Sequence, residues 1–435
     1  MKKLVSLILA LVMALSCFVL SASAEDVNLT MWTFLNLSST NARAIVLGKL
    51  IENFEASHPG VTVTVETQEW TTLSSKVIAA TAAGNAPDLF MVNSENLGAT
   101  LQAGCFEPLE NLAVCAGWTD AEYADVESAM WNAGFDGTYH YQVPCFYTTY
   151  GIHYRKDLFR ENGIDVNDIK TWDDLVEVAK KLTYVDANGN QIYGLGNGYS
   201  TAATDPQGYL PSVLASQEGG LFNADGTPNN WTGEYAVKAL QWEYDLIDSG
   251  IDSTAACSIS LEELYNLYEA GNYAMCFGGS VRVPTVKSLV AFNPDDTGYM
   301  GNPALTADGE KTLSPVAGWH VGVSTTSAHK DLAGEFLAYY MSPEADAMWV
   351  TEANQLPLRA STLAAYPEVF EENDWMAVAF DIVADHSFAY STEYAVAGFS
   401  EDLQNAIINA YVNGYSCEDA MAEAEQSFLN RNVGR

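Results

Sequence analysis

The sequence predicts an α/β fold divided between two domains, and three observations carry the prediction. Strand-like and helix-like stretches alternate through the first 95 residues, the order that builds a parallel sheet covered by helices. The chain's 435 residues are more than one hydrophobic core organises, so two cores of ordinary size are expected. Apolar residues supply 48% of it and aromatic residues 11%, enough to fill both cores and too many for a disordered chain. Neither an internal repeat nor a low-complexity linker is visible, so the domains are expected to interlace rather than follow one another.

Leu29–Phe34, LTMWTF, is rich in strand formers and reads as the first strand. Ser38-Ser39-Thr40 offers a helix cap, and Leu47, Leu50, Ile51 and Phe54 recur at helical spacing behind it. His58-Pro59-Gly60 ends that helix, and Val61, Val63 and Val65 alternate with threonine as a second strand. The alanine-rich stretch Thr71–Ala83 is a second helix, stopped by Gly84-Asn85; Pro87 then forces an extended entry into the short buried strand Leu89–Val92. Asn93 stands where that strand leaves the sheet. Open α/β sheets bind ligands at the carboxyl ends of their strands, although an asparagine there suits a plain turn equally well.

Val143–Phe159 reads as an aromatic strand running into a helix, and Lys170–Thr183 as a helix capped by Thr171. Asp186–Asn190, DANGN, is expected to be a hairpin turn, because Asn197 stands where a calcium loop needs a bidentate glutamate. Glu234–Gly250 is a helix, Asn272–Gly279 a buried strand ending in glycines, and Gly318–Ser324 another strand. Leu332, Ala333, Phe336, Leu337 and Tyr340 mark the apolar face of the next helix; Phe399–Asn430 is helical with a break at Asn413-Gly414.

Charge and export signals narrow the function classes. Against 56 Asp and Glu stand only 19 Lys and Arg, a net charge of −37. Such a chain lacks the cations that nucleic acid or an anionic membrane surface requires. Lys2 and Lys3 precede the apolar run Leu4–Leu20 and the small residues Ser21–Ala24, so residues 1–24 are expected to be a signal peptide cleaved after Ala24. Cys17 offers a rival reading as a lipid-modified cysteine, with apolar Phe18-Val19-Leu20 after it. Cys105, Cys115, Cys145, Cys257, Cys276 and Cys417 then remain, with no CxxC spacing. Cys105 and Cys115 suit either a bridge or two buried thiols. GxSxG, HExxH and GxxxxGK[ST] are absent and the six histidines are scattered, so no cofactor or metal is expected. A glycosidase, which needs only two carboxylates, is the enzyme class left open.

The order of the motifs resembles the extracellular solute-binding proteins of ABC transporters, in particular those that bind sugars and oligosaccharides. The resemblance rests on LIENFEASHPGVTV (Leu50–Val63), AATAAGNAPDLFMV (Ala79–Val92), VPCFYTTYGIHYRKDLF, TWDDLVEVAKKL, YEAGNYAMCFGG (Tyr268–Gly279), GWHVGVSTTSAHKDLAGEFLAYYMSPEA (Gly318–Ala345) and NQLPLR (Asn354–Arg359). It implies a two-lobed periplasmic-binding fold of type II, each lobe a mainly parallel sheet flanked by helices, joined by hinge strands. The first lobe would be 25–146 plus 302–345 and the second 147–301 plus 346–435, with crossings at Val143–Tyr150, Asn302–Ala304 and after Met341. It further implies a non-enzymatic monomer that captures a sugar or oligosaccharide between the lobes and delivers it to membrane permease subunits. A receptor for a peptide or polyamine is the alternative within binding.

A sugar offers apolar C–H faces to aromatic rings and hydroxyls to polar tips. Trp319 follows Gly318 where the family often carries a cleft aromatic; its ordinary reading is core. Phe34 and Asn36 close the first strand, Glu69 and Trp70 the second, and Asn93 the third. Tyr147 and Tyr150 lie in the first crossing, and Tyr199 follows the glycine-rich GLGNG. After FGG the family usually places an aromatic, whereas here Ser280-Val281-Arg282 follows, which weakens a maltodextrin-like ligand. Arg282 and Arg359 point instead to an acidic or heavily oxygenated sugar, unless each simply pairs with one of the many acids.

Overall fold

The computed structural model describes residues 26–118, 120–200, 209–307, 309, 312–389 and 398–432. The expected signal peptide and Cys17 lie outside the described residues. The first third builds the predicted β-α-β-α-β unit. Strands β1 (Val27–Thr33), β2 (Val61–Thr67) and β3 (Leu89–Asn93) run parallel with β1 in the middle, Leu29 beside Val63 and Met31 beside both Val65 and Leu89. The helices Ala42–Ser57 and Leu73–Ala83 make the crossovers and bury Leu47, Leu50, Ile51, Phe54 and Val77. One cap differs from expectation. The Oδ1 of Asn41, not a group in Ser38–Thr40, accepts the Arg43 N–H at 2.9 Å and starts the helix. Gly84 ends the second helix at φ 73°, a left-handed conformation that a side chain opposes.

The sheet then changes character. Strand β4 (Val143–Arg155) is 13 residues long and almost continuously buried. The hairpin β5 (Tyr184–Val185) and β6 (Gln191–Ile192) closes over DANGN as expected. There the Asp186 carboxylate accepts the Asn188 and Asn190 N–H groups. Strands β7 (Met275–Gly279), β8 (Thr297–Met300), β9 (Ser314–Val323) and β10 (Ser387–Phe388) complete the set. The main path is β2-β1-β3-β9-β4-β7, with β8 on β4 and β10 on β9. β9 pairs antiparallel with both β3 and β4, and β4 pairs antiparallel with β7 and β8. The second half is therefore mixed rather than mainly parallel. Parallel contacts there include the bridges Tyr193–Tyr273 and Gly196–Cys276 at the edge of β7, the bridge Thr171–Ala304, and the short pair of β10 with β9.

The long strand joins two cores. Residues 143–149 of β4 pair with β9, which itself pairs with β3 of the first half; residues 150–155 pair with β7 and β8. One core gathers Leu29, Leu47, Phe90, Phe146, Val321, Phe336, Trp349 and Ala353. The other gathers Ile152, Trp172, Trp231, Leu240, Phe277, Phe399 and Phe428, with Leu305 and Leu313 against it. A third, smaller cluster of Tyr147, Tyr299, Val316, Leu358, Trp375 and Ile382 backs the crossing strands. All six cysteines of the described residues are free and buried, so Cys105 and Cys115 form no bridge.

Candidate functional site

A cavity of about 310 Å³ opens where β4 and β9 cross between the two halves. Its first wall comes from the carboxyl ends of the parallel strands: Phe34 after β1, Trp70 after β2, Asn93 at the end of β3, and Ser94 and Glu95 after it. Arg43 joins them from the first turn of the helix Ala42–Ser57. The opposite wall is Glu262 and Tyr265 on the helix Leu261–Glu269, with Val281 and Arg282 just beyond β7. Phe146, Thr148, Tyr150, Gly318 and Trp319 on the crossing strands form the floor.

The floor is built by close approach. A side chain at Gly318 would place a Cβ 2.3 Å from the Phe146 carbonyl oxygen and 2.9 Å from the Tyr147 Cα, so glycine lets β4 and β9 pack. Trp319, the next residue, then lies against Phe34 with ring centroids 4.1 Å apart and planes at 30°. Both rings are half-buried and present flat apolar area to the cavity. Beneath them a polar network ties β3 to β9. The Gln142 amide donates to the carbonyls of Met130 and Trp131, so its Oε1 accepts from His320 Nδ1 at 2.8 Å. His320 Nε2 therefore accepts the Ser94 hydroxyl at 2.9 Å, while the Gly318 N–H donates to Ser94 Oγ. Burial pushes the His320 pKa down to about 3, so this ring is neutral and serves as a strut.

Two arginines set the electrostatics. The Arg43 guanidinium lies 5.7 Å from the Phe34 ring centroid and 5.2 Å from that of Phe146. Desolvation, and then the like charge of Arg282, lower its pKa to about 10, still charged at neutral pH. Arg282 donates from Nη2 to Glu262 at 2.8 Å and stands 4.7 Å over the Tyr265 ring, with its Nε buried and unbonded. Glu95, in the first turn of the helix Ser94–Gln102, accepts the Ser400 hydroxyl at 2.7 Å. Ser400 belongs to the helix Phe399–Tyr411, whose Phe399 and Leu403 fill the second core, so this bond links the halves.

Of the residues singled out in the sequence, Phe34, Trp70, Asn93, Tyr147, Tyr150, Arg282 and Trp319 line the cavity. Tyr147 does so with its ring turned away: it is 1% exposed and its hydroxyl donates to the Pro357 carbonyl. The Asn93 Oδ1 already accepts from Asn96 at 2.8 Å. The other four lie elsewhere. Asn36 is exposed in a turn and accepts the Ser38 N–H. Glu69 is exposed, one residue short of the wall. Tyr199 is 3% exposed inside the second core, so it does not close over a ligand. Arg359 is held by Asp125 at 3.0 Å and by the Met341 carbonyl, which makes it a structural clamp. Arg43, Ser94, Glu95, Phe146, Thr148, Glu262 and Tyr265 were not foreseen. The strand-end rule that selected Phe34 could have reached Arg43; Glu262 and Tyr265 meet the cavity only through tertiary packing.

Two α/β halves exchanging strands at a shared seam, with an aromatic-floored cavity at that seam, define a two-lobed binding protein. The chain belongs to the bacterial extracellular solute-binding proteins, whose family model matches residues 40–347. A binding protein of Brucella abortus is 29% identical over 224 residues, 51% of either chain, so the match spans about half the length of that relative. The arabinooligosaccharide-binding protein of Bacillus subtilis is 24% identical over 364 residues, 79% of this chain and 77% of that one. Among solved structures, an ABC transporter solute-binding protein of Thermotoga lettingae bound with α-D-tagatose superposes with a TM-score of 0.77 at 22% identity, covering 93% of this chain and 99% of that one. Among the described residues no helix is long and apolar enough to cross a membrane.

Proposed function

We propose that the chain captures a sugar or short oligosaccharide in this cavity and delivers it to the permease of an ABC importer, without altering it. The stacked Phe34–Trp319 pair carries the reading, because rings at a lobe junction offer the flat apolar area that sugar C–H faces need. Thr148, Asn93, Glu95 and Glu262 supply polar tips for hydroxyls. A cavity of about 310 Å³ is at the small end for ligand sites and favours one or two sugar units. The names of the Bacillus and Thermotoga relatives, which refer to arabinooligosaccharides and α-D-tagatose, support a saccharide. The packing supports lobes of 25–146 with 314–353, and of 147–313 with 354–435, a shift of the seam from the limits expected at 302 and 345. The reading includes export through residues 1–24 and action as a monomer.

Thermal unfolding with a panel of mono- and oligosaccharides, uronic acids, peptides and polyamines tests it. At a ligand concentration about 100-fold over its Kd, a binder gains ~2.7 kcal/mol, a rise of a few degrees for a chain this large. A response to polyamines or peptides alone, or turnover of the compound that binds, would overturn it.

A further inference from the structure

We infer that the solute carries a single carboxylate, held by Arg43, so that the cavity is built for an acidic sugar; this rests on the saccharide reading above. The structure describes the surroundings of six arginines. Five of them are ion-paired: Arg155 with Asp157, Arg160 with Asp296, Arg282 with Glu262, Arg359 with Asp125 and Arg431 with Asp402. Arg43, alone among the described arginines, makes no ion pair, the Glu262 carboxylate acting on it only at longer range, in a chain whose acids outnumber its bases 56 to 19. Its contacts with Phe34 and Phe146 use the positive charge but leave the guanidinium N–H donors unbonded. A planar fork with free donors, set in a cavity wall, matches a carboxylate in two parallel hydrogen bonds.

The rest of the wall agrees. Arg282 is partly neutralised by Glu262 yet keeps a buried, unbonded Nε, a second donor on the opposite lobe. A solute reaching both arginines favours the closed arrangement, because it contacts both lobes. Its charge would also separate two like-charged groups that now raise each other's energy. Glu95 and Glu262 limit how much anion the cavity accepts, which favours one carboxylate over a doubly charged phosphate.

The test is calorimetric titration of the mature protein with D-galacturonate, D-glucuronate and their disaccharides, each beside its neutral parent sugar and the corresponding sugar 6-phosphate. We expect one acid to bind at least about tenfold more tightly than its neutral parent. The preference should shrink between low salt and about 0.5 M salt, since part of it is Coulombic. In R43M it should vanish, the acid losing at least about tenfold more affinity than its neutral parent. In R43K, which keeps the charge and loses the fork, part of the preference should survive. Equal or tighter binding of the neutral sugar, tightest binding of the phosphate, or a preference unchanged in R43M would overturn the inference and leave the saccharide reading intact. Failure of every saccharide, acidic or neutral, would overturn both.

Discussion

Trp319 has two tasks that a single substitution separates. Its ring covers Phe34 and packs against the first core, so Trp319→Ala forfeits a stacked pair worth about 0.5–1.5 kcal/mol beyond its area, and the ligand-free melting temperature should fall by a few degrees. The ligand-induced rise should disappear altogether; a variant that keeps the full rise would make the ring a core residue and nothing more. Asp252 shows the other use of a polar side chain. It is 1% exposed and accepts hydrogen bonds from the Asn197 and Ser253 N–H groups and the Tyr273 hydroxyl. Burial outweighs those bonds and raises its pKa to about 7. A folded pKa above the unfolded value near 4 means that the native state binds the extra proton between those limits. Its contribution is thus fully present below about pH 4 and lost as pH rises toward 7. In urea titrations, the stability of Asp252→Asn relative to the native sequence should therefore increase from pH 4 to 7. A difference that stays flat would show that the carboxyl is ionised in the folded protein at both ends. What the sequence revealed at this scale followed largely from strand ends, which point to Phe34, Trp70 and Asn93, whereas Trp319, in the middle of β9, was singled out through the family resemblance. Tyr199 and Arg359 misled, because burial in a core and a partner 234 residues away leave no local mark.

At the scale of elements, the first half was legible and the crossing was not. Alternation in β2 and helical spacing in Ala42–Ser57 are periodic signals that fix which face is buried. β4 is apolar on both faces, and a continuous run carries no information about which strands flank it or in which direction. The antiparallel insertion of β9 between β3 and β4 joins segments more than 160 residues apart, beyond any local pattern. Gly318 is the element-level device that makes this insertion possible. In Gly318→Ala the added methyl meets backbone atoms of β4, which cannot rotate away, so the cost should be about 1–3 kcal/mol of stability. Displacement of Trp319 should also weaken saccharide binding more than that stability loss alone implies. Unchanged affinity in a folded variant would mean that the floor tolerates separation of β4 from β9.

For the whole molecule, the question is how two cores behave as one device. β4 contributes Val143 and Phe146 to one core and Ile152 and Tyr154 to the other, so neither core can lose its sheet without pulling on a strand of its neighbour. The third cluster, with Tyr147 and Trp375, clamps the strand at its midpoint. Such coupling predicts a single calorimetric transition for the mature chain, moved as a unit to higher temperature by the solute. Two transitions, with only one of them moved, would place the solute on one lobe and not between them. The same geometry predicts compaction. Phe34, Trp319 and Arg43 lie on one lobe and Tyr265 and Arg282 on the other, so occupancy should favour the arrangement in which the Glu95–Ser400 bond also forms. Small-angle scattering of the mature protein should record a smaller radius of gyration with solute than without. Ser400→Ala should enlarge the solute-free value, or leave it unchanged if the lobes are already apart, while the solute-bound value stays the same. A radius indifferent to solute, with binding established calorimetrically, would mean that the cavity fills without any movement of the lobes and that a permease could not distinguish loaded from empty protein by its shape.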